Sequence, residues 1–358
     1  MRTLSRYVVR RVFGATALVF GALLMLFAFF DLIQELGEVG RGRHAMTLAL
    51  FKTLLSVPGH SYELFPVATL LGTLFAFAQL AASSEYSVMR VSGVSSWRMV
   101  LALLPLGLGF AALNFAVGEF VAPLSESTAQ RLLLKASNTG VVAQEFRSGL
   151  WVKDDTSFVN VAQVSPDAAL TGVRIYEFDN AFRLKTISLA ATGTWRGGDR
   201  WRLTDVVRTH FEADRTSVTR EAEAEWRSVL TPGILNVLMV VPERMAFTDL
   251  LAYIEHLREN RQATARHEIA LYGKLVNPLA VLVMMLLALP FAYLRARDGG
   301  IGGKLFAGIM LGLGFHLLSR LFGHLGLLNA WPPLISAALP TLLFLAGGAG
   351  VLAWVERR

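Results

Sequence analysis

Six long apolar runs divide this chain into two groups of three, with a long polar stretch between the groups. Residues 12–33, 54–81 and 99–122 form the first group, and 270–294, 302–323 and 331–355 the second. A hydrocarbon core about 30 Å thick takes roughly 20 helical residues to cross. Inside it every backbone N–H and C=O must find a partner within the protein, so an apolar run of that length has the helix as its natural solution. The chain therefore reads as a polytopic α-helical membrane protein with six transmembrane helices, three plus three. The predicted division is a first transmembrane block over 1–122, an extramembrane insert over 123–266 and a second transmembrane block over 267–358.

Composition narrows the class further. The 358 residues are 54% hydrophobic and 17% charged, which excludes a soluble globule and a disordered chain. The chain has no cysteine, so disulfides, thiol chemistry and Cys-based metal sites are excluded. The net charge of +7 is explained by cationic residues flanking the helices on one side. Arg2, Arg6, Arg10, Arg11, Arg90, Arg98, Arg295, Arg297, Lys304, Arg357 and Arg358 all fall on that side, whereas the opposite short loops carry only Arg41, Arg43 and Lys52. This asymmetry predicts cytoplasmic termini and an insert on the far side, the periplasm in a cell with two membranes. The basic N-terminus imitates a signal peptide, but its apolar run is too long and no small-x-small site follows Phe30. It is read as a retained first helix.

The insert has the pattern of an all-β domain. Trp151-Val152, Phe158–Val161, Val173–Phe178 and Trp226–Leu230 fit short strands, with turn signals at Asp179-Asn180 and Gly197-Gly198-Asp199. Trp195 and Trp201 flank the second turn and are placed to pair across a hairpin. Short strands with closely spaced turns suggest a sandwich or jellyroll. Thr248 is a candidate N-cap for a trailing amphipathic helix whose Leu250, Ile254 and Leu257 share a face. Within the spans, Pro58 and Pro66 require neighbouring helices to satisfy the carbonyls they free. Gly308-x-x-x-Gly312 permits close helix approach, although glycine is common in membrane helices generally.

No catalytic constellation survives inspection. Gly299–Leu305 imitates a phosphate loop, but Asp298 stands where its first glycine belongs and Leu305 replaces the required Ser or Thr. His267-Glu268 opens a zinc-protease-like string, but Leu271 replaces the second ligand, and His316 and His324 have no nearby carboxylate in sequence. No metal site, no cofactor and no enzymatic activity are expected in this chain. The segment around 84–95 is different. It reads as a short helix with Ser83 or Ser84 as N-cap, Glu85 in the first turn, an apolar contact from Val88, Met89 and Val91, and Gly93 as its stop. It is either a capped surface helix or a docking knob for a cytoplasmic partner.

Several stretches in order carry a resemblance. They are Leu54–Pro58, Phe65-Pro66 through Gly72, Ser84-Glu85 through Met89, Ser92-Gly93, Gly118–Pro123, Gly149–Asp154, Leu230–Pro232, Pro278-Leu279, Met284-Met285 and Pro332-Pro333. With the three-plus-three layout, the chain resembles the LptF/LptG permeases of the lipopolysaccharide export ABC transporter over nearly its whole length. The Gly149-Leu150-Trp151 and Leu230-Thr231-Pro232 stretches fit the LptG branch better than the LptF branch. The alternatives are the LptF branch and a membrane-anchored assembly scaffold without transport activity.

The resemblance implies an inner-membrane permease with a periplasmic β-jellyroll, paired as a heterodimer of LptG and LptF. The implied partners are the LptB ATPase dimer, which binds ATP and Mg, LptC with its own jellyroll, a jellyroll bridge to LptA, and lipopolysaccharide as cargo. It makes 84–95 the coupling helix, with Ser84, Glu85, Tyr86, Val88, Met89, Val91 and Gly93 as the ATPase-coupling residues. It implies basic residues where the first helix leaves the membrane, but here Asp31, Gly37 and Glu38 stand where relatives carry lysine. Arg41, Arg43 and Arg320, with Arg131 and Lys135 above the third helix, are the candidate lipopolysaccharide-binding residues. For Arg320 a structural ion pair with Asp31 is the competing reading. Phe27, Phe29 and Phe30 are candidates for a cavity wall or, equally, ordinary lipid-facing side chains. Acyl chains need such a wall, because each CH₂ moved into water costs ~0.8 kcal/mol.

Overall fold

The computed structural model describes residues 2–40, 46–136, 150–154, 157–165, 169–179, 182–212, 215–228, 230–231, 242–259, 262–292 and 300–356. Helix α1 covers Arg2–Gly40, α2 Met46–Ala82, α3 Glu85–Val91 and α4 Ser96–Ala116. A π-helical turn at Val117–Val121 carries α4 directly into α5, Ala122–Ala136. Six strands follow. After them come α6 (Phe247–Glu259), α7 (Ala265–Ala288), α8 (Gly300–Leu328) and α9 (Pro333–Glu356). Among the described residues six helical stretches are long and apolar enough to cross a membrane, one over the greater part of each of the six apolar runs. The third expected span does not stop at Ala122. Pro123 would clash with the carbonyl of Glu119 in a regular α-helix. The wider π turn just before it lets the helix run on to Ala136.

Burial divides the bundle. The most apolar windows of α2 and α7 are 72% and 61% buried, against 11% for α1 and 17% for α8. The central pair is joined where Pro66 frees the carbonyl of Tyr62: Asn277 Nδ2 on α7 donates to that oxygen at 3.3 Å. The proline is thus satisfied from a neighbouring helix, as its position in a span requires. Close approach is built on glycine. A Cβ at Gly72 would lie 2.3 Å from Thr16 Cα of α1, and one at Gly308 or Gly312 would lie 2.7 or 2.8 Å from Leu74 or Val67 of α2. The Gly308-x-x-x-Gly312 pair therefore seats α8 on α2.

One polar joint ties the insert's stems to the bundle. The π turn leaves the Gly118 carbonyl to accept from Lys274 Nζ of α7 at 2.9 Å. Lys274 also lies 3.5 Å from Glu119 Oε2, and both side chains are almost wholly buried. The Glu119 carboxylate accepts the Phe247 backbone N–H at 2.8 and 3.0 Å. It thereby supplies the negative charge that a helix N-terminus favours. Thr248, the expected cap, lies inside the first turn of α6 instead. Nearby, Arg244 Nη1 donates to Glu126 Oε2 at 3.0 Å and Arg244 Nε lies 3.8 Å from Glu63. Leu250, Ile254 and Leu257 form the buried face of α6, as their spacing predicts.

The insert is an antiparallel sheet of six strands in consecutive order: β1 Leu150–Asp154, β2 Ser157–Val164, β3 Leu170–Phe178, β4 Leu184–Gly197, β5 Arg200–Phe211 and β6 Thr216–Arg227. Trp195 pairs with Trp201 across the Gly197-Gly198 turn, and Trp201 pairs onward with Trp226. One face buries Val152, Val159, Ile175, Leu203 and Trp201 in a single core. The last expected strand ends early, at Arg227, because the chain turns in to close the domain. Ser228 Oγ donates to Asp154 Oδ2 at 2.5 Å and Trp201 Nε1 to the Leu230 carbonyl at 2.7 Å. The jellyroll-like expectation thus takes the form of a curled meander, in which the end of the last strand meets the end of the first.

Two outcomes follow for the bundle. Gly72→Ala should destabilise it by ~1–3 kcal/mol through overpacking, whereas Gly59→Ala, with nothing within 4 Å of its added Cβ, should be near neutral; thermal unfolding in detergent measures both. Lys274→Met should cost ~3–5 kcal/mol by orphaning a buried carboxylate. Adding Glu119→Gln should recover part of that loss in the same assay.

Candidate functional site

Helix α3 is a two-faced element set between two membrane spans. Tyr86 and Met89, three residues apart, point inward at 4% and 7% exposure and share an apolar cluster with Val8, Phe77, Leu80, Met99 and Leu103. The Tyr86 ring meets Phe77 edge-on at 5.9 Å. Val88 and Val91, also three apart, point outward at 65% and 91% exposure. Met89, expected with them on the contact face, is instead an anchor, because a helix this short can bury only one stripe. The outward valines are joined by Trp97 of α4, 64% exposed.

The ends of α3 are held differently from each other. At the C-terminus Gly93 adopts φ +87°, and the Gly93 and Val94 N–H groups bond the Arg90 and Met89 carbonyls. This is the Schellman closure that a left-handed glycine permits, so the expected stop is present. At the N-terminus neither expected cap operates. Ser84 is in the left-handed region at φ 60° without a side-chain cap. Ser83 Oγ donates toward Glu85 Oε1 at 3.0 Å and toward the α2 carbonyls of Gln79 and Leu80 at 3.1 and 3.3 Å, rather than accepting a backbone N–H of α3. The other Glu85 oxygen accepts from Tyr7 Oη of α1 at 2.7 Å. These donors hold the Glu85 carboxyl below the usual carboxylate range. Glu85 is therefore ionised, and its contacts intact, until the pH falls through that lowered value.

A second region lies toward the far end of α1. Asp31 accepts from Ser56 Oγ at 2.7 Å and lies 2.7 Å from His60 Nε2, both on α2. Glu35 is paired with Lys52 of α2. Asp31 and Glu35 of α1 are thus partnered from α2. The Arg320–Asp31 pair is not made, since Asp31 is committed to His60 and Ser56. Arg320 is exposed on α8, on the same open stripe as Leu313 and Leu317. Phe27, Phe29 and Phe30 are 36%, 58% and 51% exposed, and Phe27 touches the His60 ring at 5.5 Å between centroids. Arg41 and Arg43 lie outside the described residues. Arg131 and Lys135 belong to α5, so they stand on the helical stem of the insert.

Sequence reasoning missed Tyr7, His60, Glu119 and Lys274. Lys274 and His60 carried one usable signal, a polar group inside an apolar run, which is expensive unless partnered. Their partners are distant in sequence and emerge only when the helices pack. Among the described residues no group of His, Asp and Glu is arranged to hold a metal ion.

The family model described as lipopolysaccharide export system permease LptF/LptG matches residues 6–354. The lipopolysaccharide export system permease protein LptG of Escherichia coli K12 is 31% identical over 343 residues, covering 95% of this chain and 95% of that protein. The protein of that name from Haemophilus influenzae Rd is 29% identical over 346 residues, 96% of each. The chain belongs to the lipopolysaccharide export permease family LptF/LptG, whose members are multi-pass permease subunits of a transporter and not catalytic enzymes.

Proposed function

We propose that this chain is the LptG-type permease subunit of the lipopolysaccharide exporter, with cytoplasmic termini and a periplasmic β domain. It pairs with an LptF subunit. It is driven by an LptB ATPase dimer that binds ATP and Mg, and it passes lipopolysaccharide through the jellyrolls of LptC and LptA toward the outer membrane. The relatives at 31% and 29% identity both bear the LptG name, which favours that branch. The observation that carries the reading is the outward valine face of α3. Val91, the last residue of α3, is 91% exposed between two spans and has no fold role of its own, while Tyr86 and Met89 fix the helix from behind. Such a knob suits a partner groove that receives apolar side chains around a charged Glu85.

The transport half of the reading rests on the same physics as the fold. An acyl chain of a dozen carbons carried through water would cost on the order of 10 kcal/mol. Its route therefore runs between apolar walls, to which Phe27, Phe29 and Phe30 contribute. The phosphates of the head group need cations at the outer boundary. Arg320 is suited to that role by its exposure and its fork of donors. Arg41, Arg43, Arg131 and Lys135 are assigned to the same boundary.

Three experiments test this. Val91→Asp should weaken ATPase association at least tenfold, ~1.4 kcal/mol, without altering the thermal midpoint of the permease. The complex reconstituted with ATPase should hydrolyse ATP faster when lipopolysaccharide is added, whereas a scaffold would show no stimulation. Arg320→Ala should lower lipopolysaccharide photo-crosslinking to α8 by about ten- to a hundredfold, the worth of one charge-assisted contact of ~1.5–3 kcal/mol; undiminished crosslinking and export would remove Arg320 from the phosphate site.

A further inference from the structure

Helix α3 is continuous with α2 through the Ser83-Ser84 turn, yet its one charged first-turn residue is bonded to a different helix. Tyr7 and Arg11 sit one turn apart on α1. Tyr7 Oη donates to Glu85 Oε2 at 2.7 Å and accepts from Arg11 Nε and Nη2 at 3.1 and 2.8 Å. Arg11 Nη2 stands 4.0 Å from the other carboxylate oxygen. Beneath this polar edge Val8 and Val12, both 0% exposed, join Tyr86 and Met89 in one apolar cluster. The N-terminal end of α1 and the inner face of α3 therefore form one packed unit with a hydrogen-bonded rim.

Two features separate this rim from ordinary surface pairing. Tyr7 is 37% exposed, so its ring does not require the hydroxyl contact in order to pack. A carboxylate has about four lone-pair sites. Ser83 and Tyr7 take one on each oxygen and leave the remainder open to a cation brought by another molecule. The side chain is held in one orientation without being used up.

The burial pattern gives this contact a consequence. α2 is the most buried span and is bonded to α7, so displacing it means displacing the centre of the bundle. α1 is the least buried span and lies chiefly along α2. Its outer face is open, and its packing is concentrated on that one neighbour.

We infer that Tyr7 is a positioning residue for energy coupling: its hydroxyl, oriented by Arg11, fixes the Glu85 carboxylate and joins α3 to α1, so that a push on α3 reaches α1 directly. The inference rests on the reading of α3 as the ATPase docking element. Its substrate-level consequence is that lipopolysaccharide release per ATP depends on a residue that touches neither lipid nor nucleotide.

The test uses the complete complex in proteoliposomes with Tyr7→Phe, Glu85→Gln, the double variant and Val91→Asp. Tyr7→Phe should retain the ATPase, an unchanged KM for ATP and an unchanged thermal midpoint. Its lipopolysaccharide-stimulated turnover and lipid release per ATP should fall several-fold, and adding Tyr7→Phe to Glu85→Gln should produce no further loss. Wild-type stimulation and release in Tyr7→Phe would overturn the inference. So would a loss additive to that of Glu85→Gln, or dissociation of the ATPase from Tyr7→Phe, since each gives Tyr7 a role independent of Glu85 orientation. Val91→Asp separates the two levels. If it releases the ATPase while Tyr7→Phe is fully active, only the positioning role fails; if it leaves the ATPase bound and active, the docking reading fails and takes the inference with it.

Discussion

A backbone carbonyl in hydrocarbon must find its donor inside the protein, and that constraint organises this structure. Where α4 opens into a π turn, the Gly118 carbonyl receives the Lys274 ammonium. The same lysine is balanced by Glu119, whose carboxylate takes up the first N–H of α6. Three segments that enter or leave the insert are thereby fastened at one point. The pair is buried, so its net worth to stability is small compared with the cost of breaking it on one side. Its value is geometric, because it sets where the stems of the β domain stand on the bundle.

The rest of the bundle is uneven, which suits a transporter. α2 and α7 form a centre in which a proline-freed carbonyl is repaired by Asn277. α1 and α8 lie against α2 through glycine-sized gaps and leave their other faces open. In a family that moves lipopolysaccharide, open apolar faces are what a second permease half and a lipid tail would both need. Asp31 and Glu35 of α1 are partnered by His60, Ser56 and Lys52, so both carboxylates are engaged within the protein at that level.

Much of this was legible in the residues. The six spans, the β character of the insert, the Trp195–Trp201 pairing, the buried stripe of α6 and the Gly93 stop all rest on local rules of period, length and turn chemistry. They hold because those rules operate within a few residues. The Ser83/Ser84 cap, the Thr248 cap and the Arg320–Asp31 pair did not form. In two cases a partner remote in sequence took the group, Glu119 the α6 terminus and His60 the Asp31 carboxylate; at α3 the Ser83 hydroxyl turned to its near neighbour Glu85 and back to the end of α2.

Hydrophobic length and local period were enough to determine a six-span chain with one β insert and a short amphipathic helix between spans, because a bilayer penalises most alternatives at the level of single segments and the strand and turn patterns of the insert are local. Which side of that helix faces out was open, with Met89 grouped beside Val88 and Val91. Only the packed bundle decided that Met89 and Tyr86 turn inward, that Glu85 answers to Tyr7, and that a lysine of the fourth span closes the turn in the third. Those choices are made by side chains far apart in the chain competing for buried space and for hydrogen bonds, and that competition exists only once the helices touch.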